Sequence, residues 1–428
     1  MKIEEVFLCI LTFLLVCSVT IAVESRRLGK LETQTWENHA KLGQNSSPFE
    51  YSEPFPDFSS VGALISKDGI LGTASLIAPD VIITAAHVLK NKTIDPLPSP
   101  KEWEFILHHD FDNAPNYSRY DVESFIIHPD WIKRQQEKPP WGDGDSKGVD
   151  IALVKLTNSV QGYFPYSLPG RSSLSVGEKI FVAGYGSLIE GDTGSVNPRN
   201  SRRMAGENIL DRVAIEINVD GSIEQSGGVL AFDFDSPQQN SNRLGNGYPN
   251  FDYLPSGMSD PKPLSFEIST AEGDSGAPLL AFQDNKWKIF GTVSYGSSDS
   301  SYGDITVLTR LQNHLTWILP HLPAIPTARM SNNSGWRESK WFGFFRSYFE
   351  EWHFHSQFGW FWSNSKEDQS VWLYVSHLGW LWTSVEAFPC IYSDHENTWF
   401  YLDIEKTKST FWRIYNYSIL GWQNRDIK

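Results

Sequence analysis

Cysteine is scarce in this sequence, with three residues in 428: Cys9, Cys17 and Cys390. The first two fall in an apolar N-terminal run, so Cys390 stands alone and a fold stapled by internal disulfides is excluded. A lone thiol of this kind reads as a buried residue. Positive charge is also short. Thirty-six Lys and Arg stand against 51 Asp and Glu, a formal net charge of −15. That excludes a nucleic-acid partner, because phosphate binding needs basic faces. Spaced metal ligands are missing as well: His108-His109-Asp110 has no third ligand at a recognisable spacing, so no metal and no cofactor are expected. Beyond residue 23 no run is apolar enough to span a bilayer.

What is present divides into parts. Residues 1–22 read as a secretory signal, ending in the small-x-small pattern Thr20-Ile21-Ala22, with a retained anchor as the alternative. Residues 23–56 read as an irregular leader or pro-segment. From 57 to 322, short β-branched runs alternate with Gly, Pro, Asn and Asp; examples are Val61–Ile65, Val81–Thr84, Ile151–Leu156, Val213–Asn218 and Lys288–Ser294. Many short strands without interleaved long helices predict an all-β barrel or sandwich. Thr309–Leu319 has helical spacing, stopped by Pro320. Residues 323–335 read as a linker, and 336–428 as a separate module holding 11 of the 17 Trp. There Phe358-Gly359-Trp360-Phe361-Trp362 and Leu378-Gly379-Trp380-Leu381-Trp382 match at a separation of 20, and Leu420-Gly421-Trp422 follows. This is a short repeat, expected as strand pairs or hairpins.

Three stretches of the 57–322 region carry residues suited to nucleophilic chemistry. In Leu76–Leu89 a strand ends at Thr84, and the small Ala85-Ala86 pair lets the chain turn and present His87. In Gly148–Leu156, Asp150 directly precedes an apolar strand. In Ala271–Leu280, Ser275 lies inside Gly-Asp-Ser-Gly. A serine hydroxyl is a weak nucleophile until an imidazole accepts its proton, and that imidazole needs a buried carboxylate to fix its tautomer. An oxyanion needs donors already in place, which glycines beside the serine allow. Each piece has a structural reading too: turn residues, a core histidine, an acid capping a strand.

"LIAPDVIITAAHVL", "DIALVKL" and "GDSGAPLL" resemble the His, Asp and Ser motifs of the chymotrypsin-like (trypsin superfamily, S1-type) serine proteases, in that family's chain order. Phe125–Trp131, Phe181–Gly186 and Val293–Gly296 are similar to three further landmarks of the family, and Thr309–Leu319 to its terminal helix. The resemblance covers roughly residues 57–320. It implies two antiparallel six-stranded β-barrels, with His87 and Asp150 in the first and Ser275 in the second. It implies Ser275 as nucleophile, His87 as general base then acid, Asp150 as its orienting acid, and the N–H groups of Gly273 and Ser275 as the oxyanion hole. Substrate-binding positions by resemblance are Ser269, Thr270, Ser294, Tyr295 and Gly296. Without an acid at Ser269, small or apolar substrate side chains are expected, and Thr306 stands where the family often has Gly.

The sequence also departs from the family. Val88 and Ala271 occupy places where many members have disulfides. No Ile-Val-Gly-Gly-like stretch precedes residue 61, although in activated members a new N-terminal amine pairs with the acid that corresponds to Asp274. The segment Phe232–Pro263 reads as an inserted loop whose Asp233, Asp235, Asn240 and Asn242 are expected to be solvated rather than to hold calcium.

The expected function is a secreted or cell-envelope serine endopeptidase acting on protein or peptide substrates. The alternative is a catalytically silent binding or adhesion protein on the same fold. For the tail, most Trp are expected to build a small β core, with cell-envelope or polysaccharide contact as the module's role.

Overall fold

The computed structural model describes residues 36–46, 55–90, 96–137, 147–170, 172–188, 191, 201–213, 216–217, 223–224, 228–251, 254–297, 301–322, 324–325, 328–330, 336–348, 352–365 and 370–427. The signal segment and residues 23–35 lie outside them. Among the described residues no helix is long and apolar enough to cross a membrane.

The β-branched runs become strands because their side chains fill two faces of curled antiparallel sheets. β1 (Val61–Ser66), β2 (Leu71–Ala78), β3 (Val81–Thr84), β4 (Trp103–Ile106), β5 (Arg119–Ile127) and β6 (Ala152–Leu156) close a barrel in the order β1-β2-β3-β6-β5-β4. Leu64, Leu76, Ile82, Phe105 and Val154 are buried together here. Each contributes about 1.5–3 kcal/mol relative to exposure.

The second unit contains β7 (Lys179–Gly184), β8 (Met204–Ile209), β9 (Arg212–Val213), β12 (Val229–Asp233), β13 (Pro278–Gln283), β14 (Lys286–Gly296) and β15 (Ile305–Arg310). The short pair β10 (Glu216–Ile217) and β11 (Ile223–Glu224) stands apart. The seven strands follow the order β8-β7-β13-β14-β15-β12-β9 as an open half-barrel, not the closed six-stranded barrel expected. The free side of β8 is met by an irregular segment. The Glu207 N–H donates to Phe266 O and the Ile268 N–H to Glu207 O, at 2.8 and 3.1 Å. Ile83, Ile151 and Leu153 pack with Phe181, Tyr185 and Leu280 to join the two units.

Two further expectations are corrected. Part of the leader, Trp36–Gly43, is a helix (α1), not irregular chain, with His39, Ala40, Leu42 and Gly43 buried. His39 Nδ1 lies 2.7 Å from Ala205 O, and Arg203 Nε donates to Gly43 O at 2.7 Å. Helical structure near the terminus of this domain starts at Leu311 rather than Thr309, and runs as a 3-10 turn, the short α-helix Leu315–Ile318 and another 3-10 turn. Thr309 remains in β15, where its hydroxyl is used elsewhere.

The C-terminal region is one antiparallel meander of eleven strands in chain order. They are β16 (Arg329–Met330), β17 (Trp336–Ser339), β18 (Gly343–Ser347), β19 (Trp352–His355), β20 (Gly359–Ser365), β21 (Ser370–Val375), β22 (Gly379–Ser384), β23 (Cys390–Ser393), β24 (Thr398–Leu402), β25 (Phe411–Asn416) and β26 (Gly421–Asp426). Its inner face buries Phe345, Phe361, Leu373, Leu381, Phe400 and Ile414, and the sheet curls so that Trp412 Nε1 donates to Phe358 O at 2.9 Å. Ile325 and Ala328, read from sequence as linker, are buried in this same core. The core is built mainly of Phe and aliphatic residues. Among the tail tryptophans only Trp412 is buried, so the expectation that most Trp form the core is overturned.

Candidate active site

β3 carries Ile82 and Ile83 into the core and ends at Thr84; Ala85 is extended, and Ala86–Leu89 form a single helical turn. Ala85 and Ala86 are wholly buried, so the turn is tight and leaves His87 at the surface of the barrel. Trp131, on the helix Pro129–Glu137, is also buried and donates its Nε1–H to Lys90 O at 3.0 Å, holding the far side of the turn.

Asp150 reaches His87 from the start of β6. The His87 N–H donates to Asp150 Oδ1 at 2.8 Å, and His87 Nδ1 lies 2.7 Å from Oδ2. The Ser294 hydroxyl donates to Oδ2 at 2.5 Å, and Thr309 Oγ1 donates to the Asp150 carbonyl at 2.9 Å. Burial of this fully enclosed carboxyl would push its pKa up. The charge of His87 and the bonds from His87 and Ser294 outweigh that and hold it below the ordinary carboxylate value. It is therefore an ionised acceptor, which places the imidazole proton on Nδ1 and leaves Nε2 to accept. His87 Nε2 lies 2.7 Å from Ser275 Oγ.

The serine turn is held against the first barrel. Gly276 has φ +84°. A Cβ there would come within 2.2 Å of Thr84 Oγ1 and 2.3 Å of Thr73 O, so only glycine allows the two units this close. Thr73 Oγ1 donates to Gly273 O at 2.9 Å. The Gly186 and Ala271 N–H groups donate to Asp274 Oδ1 and Oδ2 at 2.8 and 3.0 Å, so backbone donors hold this buried acid. The N–H groups of Gly273 and Ser275 donate to no group among the described residues. They sit two residues apart on one turn beside Ser275 Oγ, where an oxyanion would develop.

The other expected positions lie on the segment before this turn and on β14. Ser269, Thr270, Ser294 and Tyr295 are buried, and Gly296 is exposed. Thr270 Oγ1 and Thr306 Oγ1 are 2.8 Å apart, a bond from the segment before the serine turn to β15, while the buried Ser269 Oγ has no partner among the described residues. A Cβ at Gly296 would meet Ile305 O at 2.7 Å. Sequence reasoning missed Thr73, Thr309 and the role of Ser294 toward Asp150. Only Ser294, inside a family landmark, carried any sequence signal.

His128 supports the Asp150 segment from behind. His314 Nδ1 lies 3.2 Å from His128 Nε2, and His314 Nε2 donates to Gly148 O at 2.5 Å. Burial, then His314, lowers the pKa of His128 to about 4, so the pair is neutral at physiological pH. The His108 and His109 rings lie tilted against each other with centroids 4.3 Å apart, and among the described residues no cluster of three or more His, Cys, Asp or Glu is arranged to hold a metal.

The acids of the inserted loop are not solvated, contrary to expectation. Asp233 ends β12 and is 1% exposed, and Asp235 is 6% exposed. Asp233 Oδ2 accepts from the Leu244 N–H and Asp211 Oδ2 from the Asp233 N–H. Arg212 donates to the carbonyls of Pro255, Met258 and Leu244, tying the loop down. Burial, with neighbouring acids, pushes Asp233 up to about 8 and Asp235 up to about 9.

Comparison with known proteins agrees with the fold. The Trypsin family model matches residues 53–211, a segment that includes His87 and Asp150 and ends before Ser275. Transmembrane protease serine 11G of Rattus norvegicus is 26% identical over 282 residues, 64% of this chain and 52% of that protein. Serine protease 28 of Mus musculus is 26% identical over 253 residues, 58% of this chain and 76% of that protein. The chain spans about half the length of the transmembrane protease relatives it matches. With its closed barrel, half-barrel and these matches, the chain carries a domain of chymotrypsin-like fold that is similar to the trypsin family of serine proteases.

Proposed function

We propose that the protein is a serine endopeptidase that works outside the cytoplasm, with Ser275, His87 and Asp150 as its triad. One observation carries this reading: the continuous relay from Ser275 Oγ through His87 to the buried Asp150, with both ring nitrogens at 2.7 Å from their partners. In this reading His87 Nε2 takes the Ser275 proton as Oγ attacks the substrate carbonyl, and Asp150 stabilises the imidazolium. The N–H groups of Gly273 and Ser275 receive the oxyanion. His87 then protonates the leaving amine, and water repeats the sequence on the acyl-enzyme. The bond between Thr270 and Thr306, with no acid at Ser269, favours small uncharged substrate side chains. The tail is read as an attachment module for surface polysaccharide.

Peptide-library cleavage by the purified full chain, before and after limited N-terminal processing, tests the assignment. Cleavage after small uncharged residues, abolished by Ser275→Ala, supports it. Cleavage retained by Ser275→Ala, or absent from wild type in both forms, overturns it.

A further inference from the structure

The outer face of the tail sheet carries aromatic side chains that neither the core nor the relay uses. Phe344, Trp360, Trp380, Trp399 and Trp422 are each the second residue of their strands, β18, β20, β22, β24 and β26. They are 46%, 50%, 40%, 40% and 46% exposed. An exposed apolar row of this size is uncommon on a soluble surface and marks an interaction site. Its register is set by the hairpins, since four of these strands begin at a glycine: Gly343, Gly359, Gly379 and Gly421.

The tryptophans are also held in place. Each faces an aromatic on the preceding strand: Phe354 with Trp360, Tyr374 with Trp380, Tyr392 with Trp399 and Tyr415 with Trp422. These pairs are edge-on, with centroids 5.4, 5.4, 5.7 and 5.4 Å apart. A second contact repeats from one hairpin to the next: Trp362 with Trp380 at 5.3 Å, Trp382 with Trp399 at 5.9 Å and Tyr401 with Trp422 at 6.3 Å. The rings are therefore pre-organised, which lowers the ordering cost of binding.

Strand spacing sets the period. Trp380 lies level with Trp362, Trp399 with Trp382 and Trp422 with Tyr401, so each member of the row is stepped two residues along its strand from the last, and members recur on a diagonal at about 12 Å, with other aromatics filling the levels between them. The C–H face of a pyranose suits the negative face of an indole. From β19 to β24 the outward positions carry no formal charge and no Leu, Ile or Val, only aromatics, Cys390, Asn364 and Ser384. At the ends of the row Arg346 is exposed on β18, Arg413 lies over the Trp422 ring at 5.1 Å, and Ile419 and Leu420 are exposed beside it; between them the face gives an anionic polymer no counter-charge and a lipid layer no aliphatic wedge, while tyrosine hydroxyls offer hydrogen bonds to sugar hydroxyls.

We propose that the central part of this row, Trp360, Trp380 and Trp399, is a binding platform for a neutral polysaccharide. The proposal rests on the reading of the tail as a polysaccharide attachment module and names its site. Co-sedimentation of the full chain with microcrystalline cellulose and with chitin tests it, with phosphatidylcholine vesicles as the competing surface. Trp380→Ala should weaken binding to the glycan roughly 3- to 10-fold, the scale of one aromatic contact. The pair Trp380→Ala and Trp399→Ala should weaken it further, as multivalent contacts are lost together. Trp380→Tyr should retain most binding, which guards against simple loss of fold, and Phe282→Ala, at an exposed position near the end of β13 in the half-barrel, should change nothing. Equal binding by wild type and the row variants overturns the platform and leaves the attachment reading standing. Binding of wild type to neither glycan overturns both, as does binding to vesicles instead.

Discussion

The protease units and the tail break the ordinary partition of residues in opposite ways. Around His87 the molecule buries polar groups, among them Asp150, Ser294, Thr309, Thr73 and Asp274, and satisfies them with specific donors and acceptors. In the tail it exposes large apolar rings and pins them edge-on against one another. Buried polar networks and exposed aromatic faces are both costly to stability taken alone, and both are informative departures from the usual surface and core. The first kind holds Asp150, His87 and Ser275 in one hydrogen-bonded chain. The second presents a repeating surface.

Substitutions can separate the two regions. The largest effect is expected at the relay: Ser275→Ala or His87→Ala should lower kcat by roughly 10⁴- to 10⁶-fold while leaving sedimentation with glycan unchanged. A parallel loss of glycan binding would show that the regions are not independent. Next is Gly276→Ala, where the new Cβ meets backbone at 2.3 Å. A loss of at least about 2 kcal/mol is expected in urea unfolding, since neither the positive φ nor the packing tolerates it. An unchanged midpoint would mean the two units are less tightly docked than described.

A smaller effect is expected at Ser294→Ala, which removes one donor from Asp150. The carboxyl pKa should rise, moving the acid limb of kcat/KM to higher pH with a roughly tenfold loss of rate, on the scale of one hydrogen bond to a charged group. Loss of rate with no change in the pH profile would point to substrate contact instead. The smallest is a pH effect. Asp235 has a folded pKa near 9, above its ordinary 3.8, so its contribution is present at low pH and is lost as pH rises between those values. Asp235→Asn should therefore raise Tm relative to wild type at pH 9, with the difference shrinking toward pH 4. His128 runs the other way: its folded value near 4 lies below 6.5, so stability falls as pH drops through that window.

The three residues of the hydrogen-bonded chain were legible because each sits in a local motif: His87 at a strand end, Asp150 before a buried strand, Ser275 between glycines. Strand positions such as Val81–Thr84 were legible from β-branched runs. What was not legible depends on distant pairing. Thr309 meets Asp150 only because β14 and β15 bring it there, and its helical spacing in sequence pointed elsewhere. Asp233 looked like a loop acid until β12 paired with β15 and Arg212 drew the loop over it. The repeated Gly-Trp pairs of the tail were visible, yet which face they take follows from hairpin register. A shift of one residue would have buried the row.

The central claim is that Ser275 is an activated nucleophile. Its most direct test is labelling of the full chain with a fluorophosphonate, followed by tandem mass spectrometry of the peptide spanning Ala271–Leu280. The account predicts a covalent adduct on Ser275 in the wild type, absent from His87→Ala. An unlabelled Ser275 in N-terminally processed wild-type protein, or equal labelling of the His87→Ala variant, would contradict it.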